Sequence, residues 1–202
     1  MRNLKKILNI MLFIYRNILY SSKLKNIFEK NIAGSVVIGG ARKKDLNEVY
    51  AIYANFNNNH CPEISKRVIY FLMSKKIIFC ARNILSDKII GVELYYLNKR
   101  DIVDRSIHQG FRGVLSEWQG QKIGTSITSY AINHFKNIGI NGISSRISLN
   151  NLPSLKSNLN LGFRPVEKYF DNNMKDERYY LVCQLNNNAQ WSFISDEKRK
   201  IY

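Results

Sequence analysis

The chain has 202 residues, enough for one domain with a full core and too few for two of ordinary size. Hydrophobic residues at 45% and charged residues at 23% exclude wholesale disorder. Lys and Arg number 31 against 15 Asp and Glu, a formal charge of +16 that favours an anionic partner such as phosphate, nucleic acid or acidic lipid. Abundant Lys, Asn and Ile are also what biased nucleotide composition produces. No zinc finger or RNA-recognition signature accompanies the charge, so a nucleic-acid-binding reading rests on charge alone.

The spacing predicts an amphipathic helix over residues 4–20. Leu4, Ile7, Leu8, Met11, Ile14, Tyr15 and Ile18 share one face, Arg2, Lys5, Lys6, Asn9 and Arg16 the other, with Phe13 outside the pattern. Such a helix suits a peripheral position in a membrane interface. It equally suits packing of the apolar face on the domain or on a second copy of the chain, and both readings stand. Asn9 and Arg16 interrupt the apolar run and no small-x-small site follows, which argues against a signal peptide. No stretch has the roughly 20 apolar residues of a membrane span, so the expected location is cytoplasmic, with the inner membrane face as the alternative.

From Ser35 short strands alternate with helices, the rhythm of a mixed α/β domain. Residues 36–39 read as a strand, and 44–56 as a helix carrying Leu46, Val49, Tyr50 and Tyr53 on one face. After a polar loop at 57–60, a second helix starts from Pro62, whose missing N–H does no harm at a helix start. Apolar runs at 77–85 and 88–97, joined by Ser86 and Asp87, read as a hairpin. A strand at 106–115, a helix at 125–138, a strand at 142–149 and a helix at 153–161 follow. Strands at 163–170 and 178–185 close the domain around a polar turn. The organisation is therefore an N-terminal helix over 1–31, a domain over 32–185 and a tail over 186–202 with Trp191 and Phe193 as its anchors. Cys61, Cys80 and Cys183 are odd in number, widely spaced and without His at zinc spacing, which points to a reducing compartment and no structural metal.

The sequence Trp118-Gln119-Gly120-Gln121-Lys122-Ile123-Gly124-Thr125 lies between a strand and a helix. Glycines there permit φ > 0 and close backbone approach, and exposed N–H groups at a helix N-terminus attract an anion. The stretch is too short for a Walker loop and lacks G-x-G-x-x-G, so residues alone indicate a pyrophosphate or a plain helix start.

This segment resembles the acyl-coenzyme A pyrophosphate loop of the GNAT superfamily, [QR]-x-x-G-x-[GA]. Gln119 and Gly124 match, and Lys122 occupies the first Gly position. Lys122 is expected to keep its backbone within ordinary L-residue limits while its ammonium supplements the phosphate site. Downstream, Asn151-Leu152-Pro153-Ser154 and Leu161-Gly162-Phe163 resemble the family's N-x-x-[AS] and L-G-F segments at the right spacing. The resemblance covers about residues 77–185 and implies an α/β (α+β) GNAT fold: a mixed, mostly antiparallel sheet of six to seven strands flanked by about four helices, besides the N-terminal amphipathic helix.

It further implies acetyl-coenzyme A, or another acyl-coenzyme A, as co-substrate, no metal, and a small-molecule primary amine as acceptor. The cofactor would meet Val114, Leu115, residues 119–125 (Gln119, Gly120, Gln121, Lys122, Ile123, Gly124, Thr125), Asn151 and Ser154. Backbone amides at Val114 and Leu115 would polarise the thioester. Counting back from Gln119 to the strand position where family members hold a carboxylate base gives His108, whose ordinary pKa near ~6.5 suits proton acceptance. His60 and Glu63 are the acceptor-side candidates. Where the family often has a Tyr acid, seven residues after the Asn, this chain has Asn158. The basic helix beside such a domain points to an amino sugar on a nucleotide or lipid carrier in surface polysaccharide synthesis. The alternatives are acetylation of proteins or other small amines, and a coenzyme A-binding module without turnover.

Overall fold

The computed structural model describes residues 2–194. One sheet of eight strands runs in the order β1-β2-β3-β4-β5-β6-β8-β7. Its strands are β1 (Lys30–Ala33), β2 (Val36–Gly40), β3 (Ile78–Asn83), β4 (Ile89–Tyr96), β5 (Ser106–Val114), β6 (Gly142–Ser148), β7 (Arg164–Asp171) and β8 (Asp176–Gln184). The helices are α1 (Arg2–Ser22), α2 (Leu46–Asn55), α3 (Ile64–Ile77), α4 (Lys99–Asp104), α5 (Ile123–Asn137) and α6 (Leu152–Asn160). The expected sheet gains one strand, β1, which falls across the boundary placed at residue 31, and one short helix, α4. Helix α3 starts two residues after Pro62, with Glu63 as its N-cap, rather than at the proline.

Every strand pair is antiparallel except β5 with β6. A parallel pair needs a crossover, and α5 supplies it. Side-chain alternation sends neighbours on β5 to opposite faces. Phe111 packs on Tyr53 and Phe56 of the α2 region, while Arg112 reaches Thr128 of α5 at 2.8 Å. Helices α2 and α3 therefore cover one face, and α5 and α6 the other. Phe79, Tyr95 and Phe135 form the buried aromatic centre under α5. At the sheet's far side Arg82, itself buried, pairs with Asp45 at 2.7 Å and ties β3 to the start of α2.

Helix α1 forms an outer layer on α3, and most of its predicted apolar face is not the face docked on the domain. Leu4, Ile7, Leu8, Met11 and Tyr15 face outward and are 54–73% exposed. Phe13 and Ile14 pack against the core instead, beside a fully buried Asn17. Asn17 accepts from the Leu97 N–H at 2.7 Å and donates to the Leu97 carbonyl at 2.9 Å, a two-way clip between α1 and the end of β4. A strict apolar-in rule misses this contact because a buried amide with both partners satisfied is no less stable a neighbour than a leucine.

The tail is anchored by Trp191, whose indole N–H donates to Asp104 at 3.4 Å and whose ring lies over Gly142, while Phe193 is 37% exposed. Residues 195–202 of the expected tail lie outside the described residues. Cys80 and Cys183 are buried, and burial pushes both thiols up, Cys183 to about 11. Cys61 is exposed.

Candidate active site

The site begins where two parallel strands part. β5 and β6 pair from Ser106↔Gly142 to Gln109↔Ser145, and no further, although β5 runs on to Val114 and β6 to Ser148. The parting coincides with a register shift between Leu94 and Tyr95 on β4, opposite Gly110. A bulge of this kind bends a strand and re-aims its edge. Gly110 is required by contact rather than by φ, since a Cβ there would run into the Tyr96 ring.

Beyond the bulge, one edge of β5 is left facing an open V. The Leu115 N–H donates to the Ile90 carbonyl at 2.9 Å, so it is spent within the sheet. Alternation then turns the N–H groups of Val114 and Arg112 toward the cleft. Of the two amides singled out in the sequence, Val114 is available to a ligand oxygen and Leu115 is not. Arg112 is the further one.

The Gln119 side chain folds back to donate to the Val114 carbonyl at 3.0 Å, pinning the start of the loop. Gly120 takes φ +77°. Lys122 takes φ +60° and ψ +13°, the left-handed conformation, so the expectation that it would keep ordinary L-residue dihedrals is overturned. The loop's geometry demands what a glycine would give, at a cost of about 1–2 kcal/mol for a residue with a Cβ. Helix α5 consequently starts at Ile123, and its first bond from outside is Ser126 N–H to the Lys122 carbonyl at 2.9 Å. Among the described residues nothing accepts from the backbone N–H groups of Gly120, Gln121, Lys122, Ile123, Gly124 and Thr125. That is six donors at the positive end of a 15-residue helix. Lys122 itself is exposed beside them.

Across the cleft, Asn151 caps α6 by accepting from the Ser154 N–H at 3.2 Å. Asn158 is buried, its amide donating to Gln109 at 3.0 Å while its Oδ1 finds no partner among the described residues. Gln109 in turn donates to Glu93, a fully buried carboxylate that also accepts from Thr128 at 3.1 Å. Arg112 bridges Thr128 at 2.8 Å and Ser157 at 3.1 Å, so a continuous polar chain joins β4, β5, α5 and α6 at the foot of the V. Burial pushes the Glu93 carboxyl up, against the opposing pull of Arg112.

The opposite face carries His108, which is 2% exposed. Its Nδ1 is 2.7 Å from Ser144 Oγ, which donates to Asp101 at 2.6 Å; Asp101 also accepts from Ser106 at 3.0 Å and from the Asn98 N–H at 2.8 Å. Because the Ser144 proton goes to the carboxylate, its oxygen is left to accept from His108 Nδ1–H. The relay thus fixes the tautomer with Nε2 as the free base, and Nε2 has no partner among the described residues. Burial pushes the imidazole down to about 4, opposed by Asp101 and reinforced by Arg146 and Lys66. The Tyr96 ring meets the imidazole edge-on, 5.0 Å away.

Glu63 opens α3 and lines a cavity with Tyr96; His60 is exposed in the preceding loop and does not line it. The sequence reading did not reach Asp101, Ser144, Tyr96, Glu93, Gln109 or Arg112. Glu93 left one trace, a lone carboxylate inside the apolar run of β4. No group of His, Cys, Asp and Glu able to hold a metal occurs among the described residues.

No protein-family model matches the chain, and no curated protein does. Solved structures do match. An N-acetyltransferase from Staphylococcus aureus superposes with a TM-score of 0.63 at 17% identity, covering 76% of this chain and all (100%) of the other. Diaminobutyrate acetyltransferase from Paenibacillus lautus, solved with L-2,4-diaminobutyric acid and coenzyme A, gives 0.63 at 14% identity, covering 78% and 100%. An acetyltransferase of the GNAT family from Streptococcus pneumoniae gives 0.62 at 16% identity, covering 75% and 99%. At these identities the likeness is one of overall architecture: the chain has the GNAT fold.

Proposed function

We propose that the chain is an acyl-coenzyme A-dependent N-acetyltransferase acting on a primary amine. The observation that carries this reading is the open V between β5 and β6, which ends at six unengaged N–H donors on residues 120–125. The neighbours solved with coenzyme A and an amine substrate support it by analogy of fold.

In this reading the pyrophosphate lies on the loop, with Lys122 adding charge, and the acyl arm runs along the β5 edge toward Gly110. Acetyl-coenzyme A supplies the activated acyl group. The chain's own part is to hold the acyl oxygen at the Val114 N–H, to align the acceptor amine, and to take its proton at His108 Nε2, directly or through water. Burial keeps the His108 imidazole neutral and so able to accept a proton, while the same burial weakens it as a base. Ser144 and Asp101 are positioning residues, since they act through the His108 ring.

The acceptor best fitting a basic chain with an amphipathic leader is an amino sugar on a nucleotide or lipid carrier. The outward apolar row of α1, with no Asp or Glu before Glu29, suits contact with an anionic membrane surface. No helix among the described residues is long and apolar enough to cross a membrane. Purified protein incubated with acetyl-coenzyme A and a panel of amines, with free thiol as readout, tests the activity. Thiol release above the no-enzyme rate supports it. Coenzyme A binding without release from any amine favours the second reading, a binding module, for which the buried Asn158 at the usual acid position is the supporting observation. Co-sedimentation with vesicles of anionic lipid tests the membrane contact, and no sedimentation overturns it.

A further inference from the structure

A cavity of about 480 Å³ opens between α1, the first turn of α3 and the end of β4. Lys5, Lys6 and Phe13 come from α1, Glu63 and Lys66 from the α3 start, and Tyr96 from β4. Three lysines therefore line a space that holds one carboxylate residue. None of the three forms an ion pair among the described residues. Lys66 lies 5.0 Å from the Tyr96 ring centroid, and the same ring meets His108 edge-on and lies over the bulge at Gly110. Tyr96 thus borders both this cavity and the point where the strands part.

The volume falls in the range of small-molecule pockets. Its wall is supplied by α1, held in place through the Asn17 clip, so a segment outside the sheet domain completes the space. Unpaired lysines around a concavity raise the local concentration of anions. On the transferase reading given above, we propose that this cavity is the acceptor subsite and that it takes an amine bearing a phosphate group, gripped by Lys5, Lys6 and Lys66. Glu63, on the same wall, is then the group placed to meet the acceptor's ammonium before it loses its proton.

The test compares thiol release by the full chain with acetyl-coenzyme A and three acceptors: glucosamine, glucosamine 6-phosphate and a uridine-diphosphate-linked amino sugar. The expected result is a kcat/KM at least tenfold higher for one or both phosphorylated acceptors, shrinking with added salt. In a variant carrying Lys5→Gln, Lys6→Gln and Lys66→Gln the ratio of phosphorylated to neutral acceptor falls toward one. A control with Lys25→Gln, Lys88→Gln and Lys136→Gln, equal in charge removed, keeps the ratio. Which phosphorylated acceptor leads separates a nucleotide carrier from a simple sugar phosphate. Equal rates for neutral and phosphorylated amines, or a preference surviving in the first variant, overturn the proposal.

If no amine releases thiol, the transferase reading has failed and the cavity is tested by calorimetric titration with glucosamine 6-phosphate in the presence of coenzyme A, which occupies the donors at residues 120–125. Binding by the wild type and the control but not by the first variant upholds the anion site. Equal binding by all three overturns it.

Discussion

The two sides of the cleft are built by different means. The side that the proposed function gives to the cofactor consists of backbone: a bulged strand edge, a short loop and the first turn of α5, with N–H groups as the chemistry. The side proposed for the acceptor consists of side chains brought from α1, α3, α4, β4, β5 and β6, with His108, Ser144 and Asp101 separated by up to 43 residues in sequence. A backbone-built site tolerates changes of residue as long as the dihedrals survive. A side-chain relay fails when any one member is lost. The same cleft therefore has one robust wall and one fragile wall.

The largest effect that would sharpen this contrast is on the fragile wall. His108→Ala is expected to lower kcat/KM about a hundredfold or more, the scale of general base catalysis. Ser144→Ala and Asp101→Asn are expected to lower it by smaller factors and to change its pH profile, since they release the tautomer. Unchanged thiol release by His108→Ala from pH 6 to 9 would remove the relay from the mechanism.

Next in size is an acid effect on stability. The folded His108 titrates near 4 and the unfolded one near 6.5, so the unfolded chain takes up the proton first as pH falls. Stability is full above pH 6.5 and declines toward pH 4, by about 3 kcal/mol from this group. Urea unfolding of the wild type and of His108→Gln at pH 7 and pH 4.5 checks the difference, which should shrink in the variant.

Asn17→Ala strands the N–H and carbonyl of Leu97, a loss of about 2 kcal/mol. The expected outcome is protease sensitivity confined to α1, with the sheet domain still folded; a sharp loss of the whole fold would show that α1 belongs to the core. The smallest effect is on the robust wall. Lys122→Gly should raise stability by about 1 kcal/mol by relieving the left-handed strain, whereas Lys122→Ala should not. Both should weaken coenzyme A binding only severalfold, as measured by calorimetry, since the backbone donors remain.

Much of the fold was legible because alternation and turn residues are local signals. The hairpin of β3 and β4, the α5 crossover and the β7 and β8 pair all fall within a few residues of where periodicity puts them. β1, four residues long with only Ile32 and Ala33 apolar, has no such signal. Helix α1 was legible as a helix, while its orientation stayed open between two readings, because the docked face is set by Asn17 together with Phe13 and Ile14 rather than by the main apolar stripe. In the site, the loop at 119–125 and the cap at Asn151 are contiguous and could be read directly. Asp101 and Ser144 could not. Neither belongs to a motif, and only the pairing of β5 with β6 sets Ser144 beside His108.

Lys122 carries one consequence beyond its own strain. The loop sets an angle, φ +60°, at the position where the resembling pattern has a glycine. A search written in amino-acid symbols stumbles at this position, while one written in dihedral angles passes through it. For chains this far diverged, the grammar of the loop is better spelled in torsions than in side chains.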